Sequence, residues 1–229
     1  MDISVLALWN AMGPVPKFIV VILLMLSIYT LSIMIERARI LYKARKSSDE
    51  FATLADKPGA DMNQVLQLAS APERGDYCFL AQIVRAALQE AKVLNQEGQP
   101  PEVILEAAQD NIARAIVVMT GTLRRRLVTL ATTATGSPFI GLVGTIMGLI
   151  RSFHTIASTQ AGGISAVSGG IAEALVTTMI GIGVAIPAMW AHNFLADRID
   201  SVSTEMDNTA ARIVDRLLRV EFIKTGKGA

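Results

Sequence analysis

The sequence predicts an all-α membrane protein with three transmembrane helices and a long cytoplasmic helical region between the first and the second. Three observations carry this reading. Residues 18–35, FIVVILLMLSIYTLSIMI, form a run of 18 residues without a charge, close to the roughly 20 that span a bilayer. Residues 127–196 hold only two charged side chains, Arg151 and Glu173, although the chain has 21 basic and 20 acidic residues. Elsewhere the apolar residues recur at spacings of three and four, the helical period, and no strand alternation appears. The averages conceal this: 52% hydrophobic and 18% charged is only a modest departure from the roughly 45–50% and 25% of soluble domains.

Residues 1–17 read as an N-terminal amphipathic segment. The stretch DISVLALWNAMG (2–13) is short and apolar and carries Trp9, which suits an aromatic anchor lying in the interface. The first span, 18–35, competes with a signal-peptide reading. A signal peptide has a shorter apolar core and a small-residue cleavage site; here Glu36-Arg37 follows the run directly. The second span covers about 127–150 and the third about 171–195. Both are rich in Gly, Ala, Ser and Thr, the residues that let helix backbones approach in a membrane. They read as the interior of a bundle or oligomer, whereas the Leu, Ile, Val and Met of the first span read as lipid-facing. Pro138 and Pro187 interrupt their helices.

Loop charge sets the orientation. Arg37, Arg39, Lys43, Arg45 and Lys46 follow the first span, Arg124–Arg126 precede the second, and Arg198 follows the third, while the 151–170 connection has Arg151 alone. The positive-inside rule then places 36–126 and the 196–229 tail in the cytoplasm, and the N-terminus and 151–170 in the periplasm.

The region 36–126 balances 13 basic against 12 acidic residues. Helices are predicted over 61–72, 77–98 and 101–126. The second carries apolar residues at 80, 83, 84, 87, 88, 91 and 94 and stops at Gly98; the third opens on Pro100-Pro101 and continues its stripe at 104, 105, 108, 112, 115, 116 and 119. The two form an antiparallel hairpin, and the later one runs on into the second span. In the tail, Ile199, Val202, Met206, Ile213, Leu217 and Val220 mark an amphipathic helix continuous with the third span. Contact with the 77–126 hairpin is the economical use of that stripe, and a face for another protein is the sharper one.

Composition excludes several functions. A net charge of +1 argues against nucleic acid as a partner. One cysteine, Cys78, and two histidines, His154 and His192, give no disulfide scaffold and no metal-ligand set. No cofactor is implied. No paired acids, Ser/His pair or phosphate loop suggest an enzyme. Both histidines read first as solvated, and Cys78 as an ordinary helical thiol.

Glu173, in GGIAEALVTTMIGIGVAIP, is the informative residue. A carboxylate inside a spanning helix costs at least about 2.5–3.5 kcal/mol, and such groups mark ion or proton paths. At 100° per residue Thr177 lies about 40° from it, and Gly181, Val184 and Ala188 stay within about 80°. On the second span Thr145 shares a face with Ala134, Pro138, Gly141, Gly148 and Ser152. Two such faces can line one narrow path. For Thr145 and Thr178 a bond to a carbonyl of their own helix is the competing use. Gly141, Gly144, Gly148, Gly181 and Pro187 are the candidate helix-packing positions.

SPFIGLVGTIMG (137–148) and GGIAEALVTTMIGIGVAIP (169–187) resemble the two signature segments of the ExbB/TolQ/MotA proton-channel family, most closely its ExbB and TolQ branch. The resemblance is strong over about 124–200. It implies a ring, commonly five-fold, around a smaller ExbD/TolR-like partner that has one span and an essential aspartate. It also implies a bacterial inner-membrane location and proton flow that drives a periplasm-spanning TonB/TolA-like protein or a motility apparatus. Glu173 matches the family's intramembrane glutamate, and Thr145 and Thr178 match its threonines. Within the family the short N-terminal extension resembles TolQ, and a gliding-motility motor stays open. A structural scaffold without ion conduction is the reading outside it.

Overall fold

The computed structural model describes residues 9–10, 12–57, 59–71, 77–159, 164–224 and 226. Among them are six α-helices and no strand: α1 Pro14–Ala55, α2 Met62–Ser70, α3 Phe79–Gln96, α4 Pro101–Arg124, α5 Leu127–Thr159 and α6 Ile164–Lys224. Three of these, α1, α5 and α6, are long and apolar enough to cross a membrane. The expected interfacial helix over 2–13 lies outside the described residues except at 9, 10, 12 and 13.

Local chemistry explains most of the helix ends. Pro14 and Pro101 occupy first turns, where the missing N–H has no intrahelical partner to lose. The first bond of α1 runs from the Lys17 N–H to the Gly13 carbonyl. At the start of α2 the Asp61 N–H donates to Gln64 Oε1 at 3.4 Å, half of a capping box. Beyond α3, Gly98 has φ +78°, a conformation glycine adopts without steric penalty.

The expected continuity of 101–126 with the second span does not occur. α4 stops at Arg124, and Arg126 takes φ +68°, the one left-handed non-glycine residue among those described. Such a residue costs about 1–2 kcal/mol and ends the helical ladder. The Arg125 N–H turns back to the Thr122 carbonyl, and the Thr129 N–H bonds the Arg126 carbonyl to start α5. The tail, by contrast, is continuous with the third span throughout the 61 residues of α6.

The chain divides into two compact units, and α1 and α6 contribute to both. One gathers α1 up to Ile35, α5 and α6 up to Phe194. Its apolar centre is Ile19 and Leu23 of α1 against Val184 of α6, flanked by Leu26, Ile140 and Ile180. The other holds the rest of α1, α2–α4 and α6 from Leu195. There α3 and α4 form the antiparallel hairpin, and Val84, Leu88, Ile104 and Ala108 are fully buried. The tail stripe is buried in this unit at Ile199, Val202, Met206, Ile213 and Leu217. Val220 departs from it at 39% exposure; Ala210, Val214, Leu218 and Phe222 are buried instead. Over several turns the 3.6-residue period carries the buried stripe off a fixed seven-residue spacing. Thr120 and Ser203 share a hydrogen bond at 3.0 Å, and Lys224 pairs with Asp61 at 2.6 Å.

Burial sets the expected cost of truncation. Leu88→Ala should destabilise the solubilised protein by about 2–5 kcal/mol, read as a fall in its thermal midpoint. Val117→Ala, at a position 72% exposed in the hairpin, should leave the midpoint within the effect of about 0.5 kcal/mol typical of surface positions.

Candidate functional site

The site lies on the seam between α5 and α6. Along α5 the buried positions from 133 to 152 are Thr133, Ser137, Gly141, Gly144, Gly148 and Ser152; along α6 from 173 to 188 they are Glu173, Ala174, Thr177, Gly181, Val184, Ala185 and Ala188. Almost all are small, and the backbones come correspondingly close. A Cβ at Gly181 would lie 2.7 Å from the Ser137 carbonyl oxygen, and one at Gly141 would lie 2.9 Å from the Thr177 carbonyl oxygen. At Gly144 it would meet Thr177 Oγ1 at 2.5 Å, and at Gly148 the Gly170 carbonyl oxygen at 2.8 Å. Tertiary contact therefore demands glycine here, as in close helix pairs within lipid.

Glu173 is 5% exposed. Its Oε1 accepts the Gly13 N–H at 2.5 Å, and its Oε2 lies 3.3 Å from Arg151 Nη1. Burying a carboxylate without such partners would cost several kcal/mol. The carboxylate is thus held by backbone just before α1 and by a guanidinium from α5. The Arg151 side chain is itself 54% exposed, so this cation reaches from the surface inward.

The hydroxyls divide into two kinds. Thr177, fully buried beside Glu173, donates to the Ala174 carbonyl at 2.7 Å. Thr145 donates to the Leu142 carbonyl at 2.6 Å. Both serve their own helix and keep lone pairs free to accept. Thr178 reaches across instead, donating to the Gly141 carbonyl at 3.4 Å.

The structure therefore brings Glu173, Thr177, Gly141, Gly144, Gly148 and Gly181 together, with Thr178 at the edge. Thr145, Ala134 and Pro138 of the expected stripe are only half-buried, beside the seam rather than on it. From Gly141 a helix offers two next positions on nearly the same face, 144 and 145. Only the one without a side chain permits the backbone approach. Pro187 is exposed and takes no part in the contact. α5 and α6 both continue through their internal prolines. His154 is exposed within α5 rather than in a loop. His192 is half-buried, its Nδ1 sharing a hydrogen bond with the Leu127 carbonyl at 3.0 Å. Sequence reasoning gave Arg151 no role in the site. The available signal was that one cation and one anion are the only charges in 127–196. Among the described residues no group of three or more His, Cys, Asp or Glu is placed to hold a metal.

Comparison with known proteins bears directly on this seam. Residues 78–208 match the model of the MotA/TolQ/ExbB proton channel family. The chain belongs to the MotA/TolQ/ExbB proton channel family. The Tol-Pal system protein TolQ of Haemophilus influenzae is 31% identical over 97% of each chain. The biopolymer transport protein ExbB of Salmonella typhimurium is 29% identical over 93% of this chain and 86% of its own. The TolQ of Pseudomonas aeruginosa is 33% identical over 79% of this chain and 80% of its own. For this member of the proton channel family, the matched region takes in the whole α5–α6 seam, with both Glu173 and Arg151, whereas Gly13 lies before it.

The seam makes a stability prediction. Gly144→Ala inserts a methyl against Thr177 and should cost about 1–3 kcal/mol by overpacking. Gly183→Ala, where an added Cβ meets nothing within 4 Å, should not destabilise. Thermal unfolding of the two variants in the same detergent separates them.

Proposed function

We propose that this chain is the proton-conducting, stator-type subunit of an inner-membrane motor in which Glu173 takes up and releases the proton. The observation that carries the proposal is a single one. The only carboxylate in 127–196 is buried on a seam of small residues, with a hydroxyl one turn away at Thr177. Thr145 and Thr178 add hydroxyls along the same helices. An ionisable group at such a place is costly and marks a proton path in membrane proteins.

One charge moved across the membrane potential is worth about 2.3 kcal/mol per 100 mV, so repeated transfers can drive stepwise motion. A relay needs a second acid, and the apolar stretches of this chain hold none besides Glu173. A single-span ExbD/TolR-like partner with an essential Asp supplies it. The same reading makes the chain a homo-oligomer, a pentamer around that partner, with output to a TonB/TolA-like transducer and no enzymatic reaction of its own. The Tol-Pal and biopolymer-transport names of its relatives favour this output over a motility apparatus. Exposed apolar side chains on α5 and α6, among them Phe139, Phe153, Leu175, Met179 and Trp190, suit lipid and neighbouring copies. The basic residues after the first span and at 124–126 support a periplasmic N-terminus and a cytoplasmic C-terminus.

Proton flux through liposomes carrying the chain with its single-span partner tests the role. Glu173→Gln preserves shape and removes the exchangeable proton, so flux should fall to background while the ring stays assembled. Undiminished flux would leave a structural scaffold as the better account.

A further inference from the structure

Both oxygens of the Glu173 carboxylate have partners, and neither partner lies on α6. Oε1 accepts the Gly13 amide at 2.5 Å, and Oε2 faces Arg151 Nη1 at 3.3 Å. We propose that Arg151 is the positioning residue of Glu173 and, with the Gly13 amide, forms a clasp that must loosen before the carboxylate exchanges its proton. The inference rests on Glu173 being the proton-exchanging group.

Among the described residues the charges around the carboxylate are few. α5 contributes Arg151; α6 has no other charge between Ile171 and Ala196. The first charge of α1 is Lys17, whose Nζ lies over the Trp9 ring at 5.8 Å. Arg151 is thus the cation in contact with a carboxylate that is 5% exposed, while its own side chain is 54% exposed. The guanidinium thus joins an exposed side chain to a buried acid. The guanidinium keeps its charge. When Glu173 is ionised the pair is attractive; when Glu173 is neutral the attraction is gone. Protonating either oxygen weakens the contact that oxygen makes, so a clasp that has loosened to admit the proton does not re-form until the proton leaves.

Gly13 supplies an independent constraint. A Cβ there would run into Arg151 Nη1 and stand 3.4 Å from Glu173 Oε1. The φ of Gly13 is not positive, so alanine suits the backbone and its methyl displaces the guanidinium instead. Two substitutions in different parts of the chain should therefore have one consequence at Glu173.

The test is labelling of Glu173 by dicyclohexylcarbodiimide, which reacts with protonated carboxyls, in membranes holding the full-length chain. Peptide mass spectrometry gives the rate at this residue. Arg151→Gln should raise the rate about three- to tenfold, the range expected when a charge-assisted contact is lost from a partly exposed pair. Arg151→Lys keeps the cation and should stay within about twofold of the original. Gly13→Ala should raise the rate, and Arg151→Gln with Gly13→Ala should add little to Arg151→Gln alone. Original rates in both Arg151→Gln and Gly13→Ala would overturn the proposal, as would Arg151→Lys behaving like Arg151→Gln. If Arg151→Gln fails to assemble, Gly13→Ala decides by the same criterion. Labelling needs no transport, so a failed clasp is distinguishable from a failed proton role, which the flux of Glu173→Gln reads.

Discussion

Where Gly181 of α6 meets the Ser137 carbonyl of α5, a Cβ would stand 2.7 Å from an oxygen, a separation real side chains do not adopt. This backbone-to-backbone approach is the constraint on which the site depends. It repeats along the seam at Gly141 and Gly148, while at Gly144 the Thr177 side chain fills the space a Cβ would take, and it explains why two helix faces so poor in bulky residues associate. In lipid the tails are as apolar as any side chain, so helices gain by close packing rather than by hiding from the solvent. A seam this narrow also excludes water. An acid placed in it must find its partners in the protein, and Glu173 does so with an amide and a guanidinium.

The polar atoms on the seam are largely satisfied. Ser137 donates to the Thr133 carbonyl at 2.6 Å, Ser152 to the Gly148 carbonyl at 3.1 Å, and Thr177 to the Ala174 carbonyl. Each hydroxyl thus removes the cost of its own burial locally. Glu173 differs because its contacts are long-range in sequence, reaching Gly13 and Arg151. A change in its protonation would therefore perturb contacts to two other segments of the same unit. The second unit, with its mixed-charge hairpin and the tail of α6, has a conventional apolar interior.

Much of this was legible in the sequence because helical period and charge exclusion are strong signals. The uncharged run at 18–35 and the nearly uncharged 127–196 marked the spans, and the 100° rule put Glu173, Thr177, Gly181, Val184 and Ala188 on one face, all of them buried in the structure. The rest depended on tertiary choices that periodicity does not encode. Residues 144 and 145 are equally good neighbours of 141 on a helical wheel, and only contact with α6 selects Gly144 over Thr145. Nothing in Arg124–Arg126 announces that the third arginine turns left-handed and separates α4 from α5. Arg151 looked like a charge at the end of a span because its partner is 22 positions away. Gly13 was invisible for the same reason: its role comes from a backbone amide, which every residue except proline carries.

The central claim is that Glu173 gains and loses a proton while buried on the α5–α6 seam. Infrared difference spectroscopy of the membrane-embedded complex, with and without an imposed proton gradient, reads this directly through the carbonyl stretch of a protonated carboxyl. The account predicts a band that changes with the gradient and disappears in Glu173→Gln. The same band persisting unchanged in Glu173→Gln would assign the proton to another group and contradict the account.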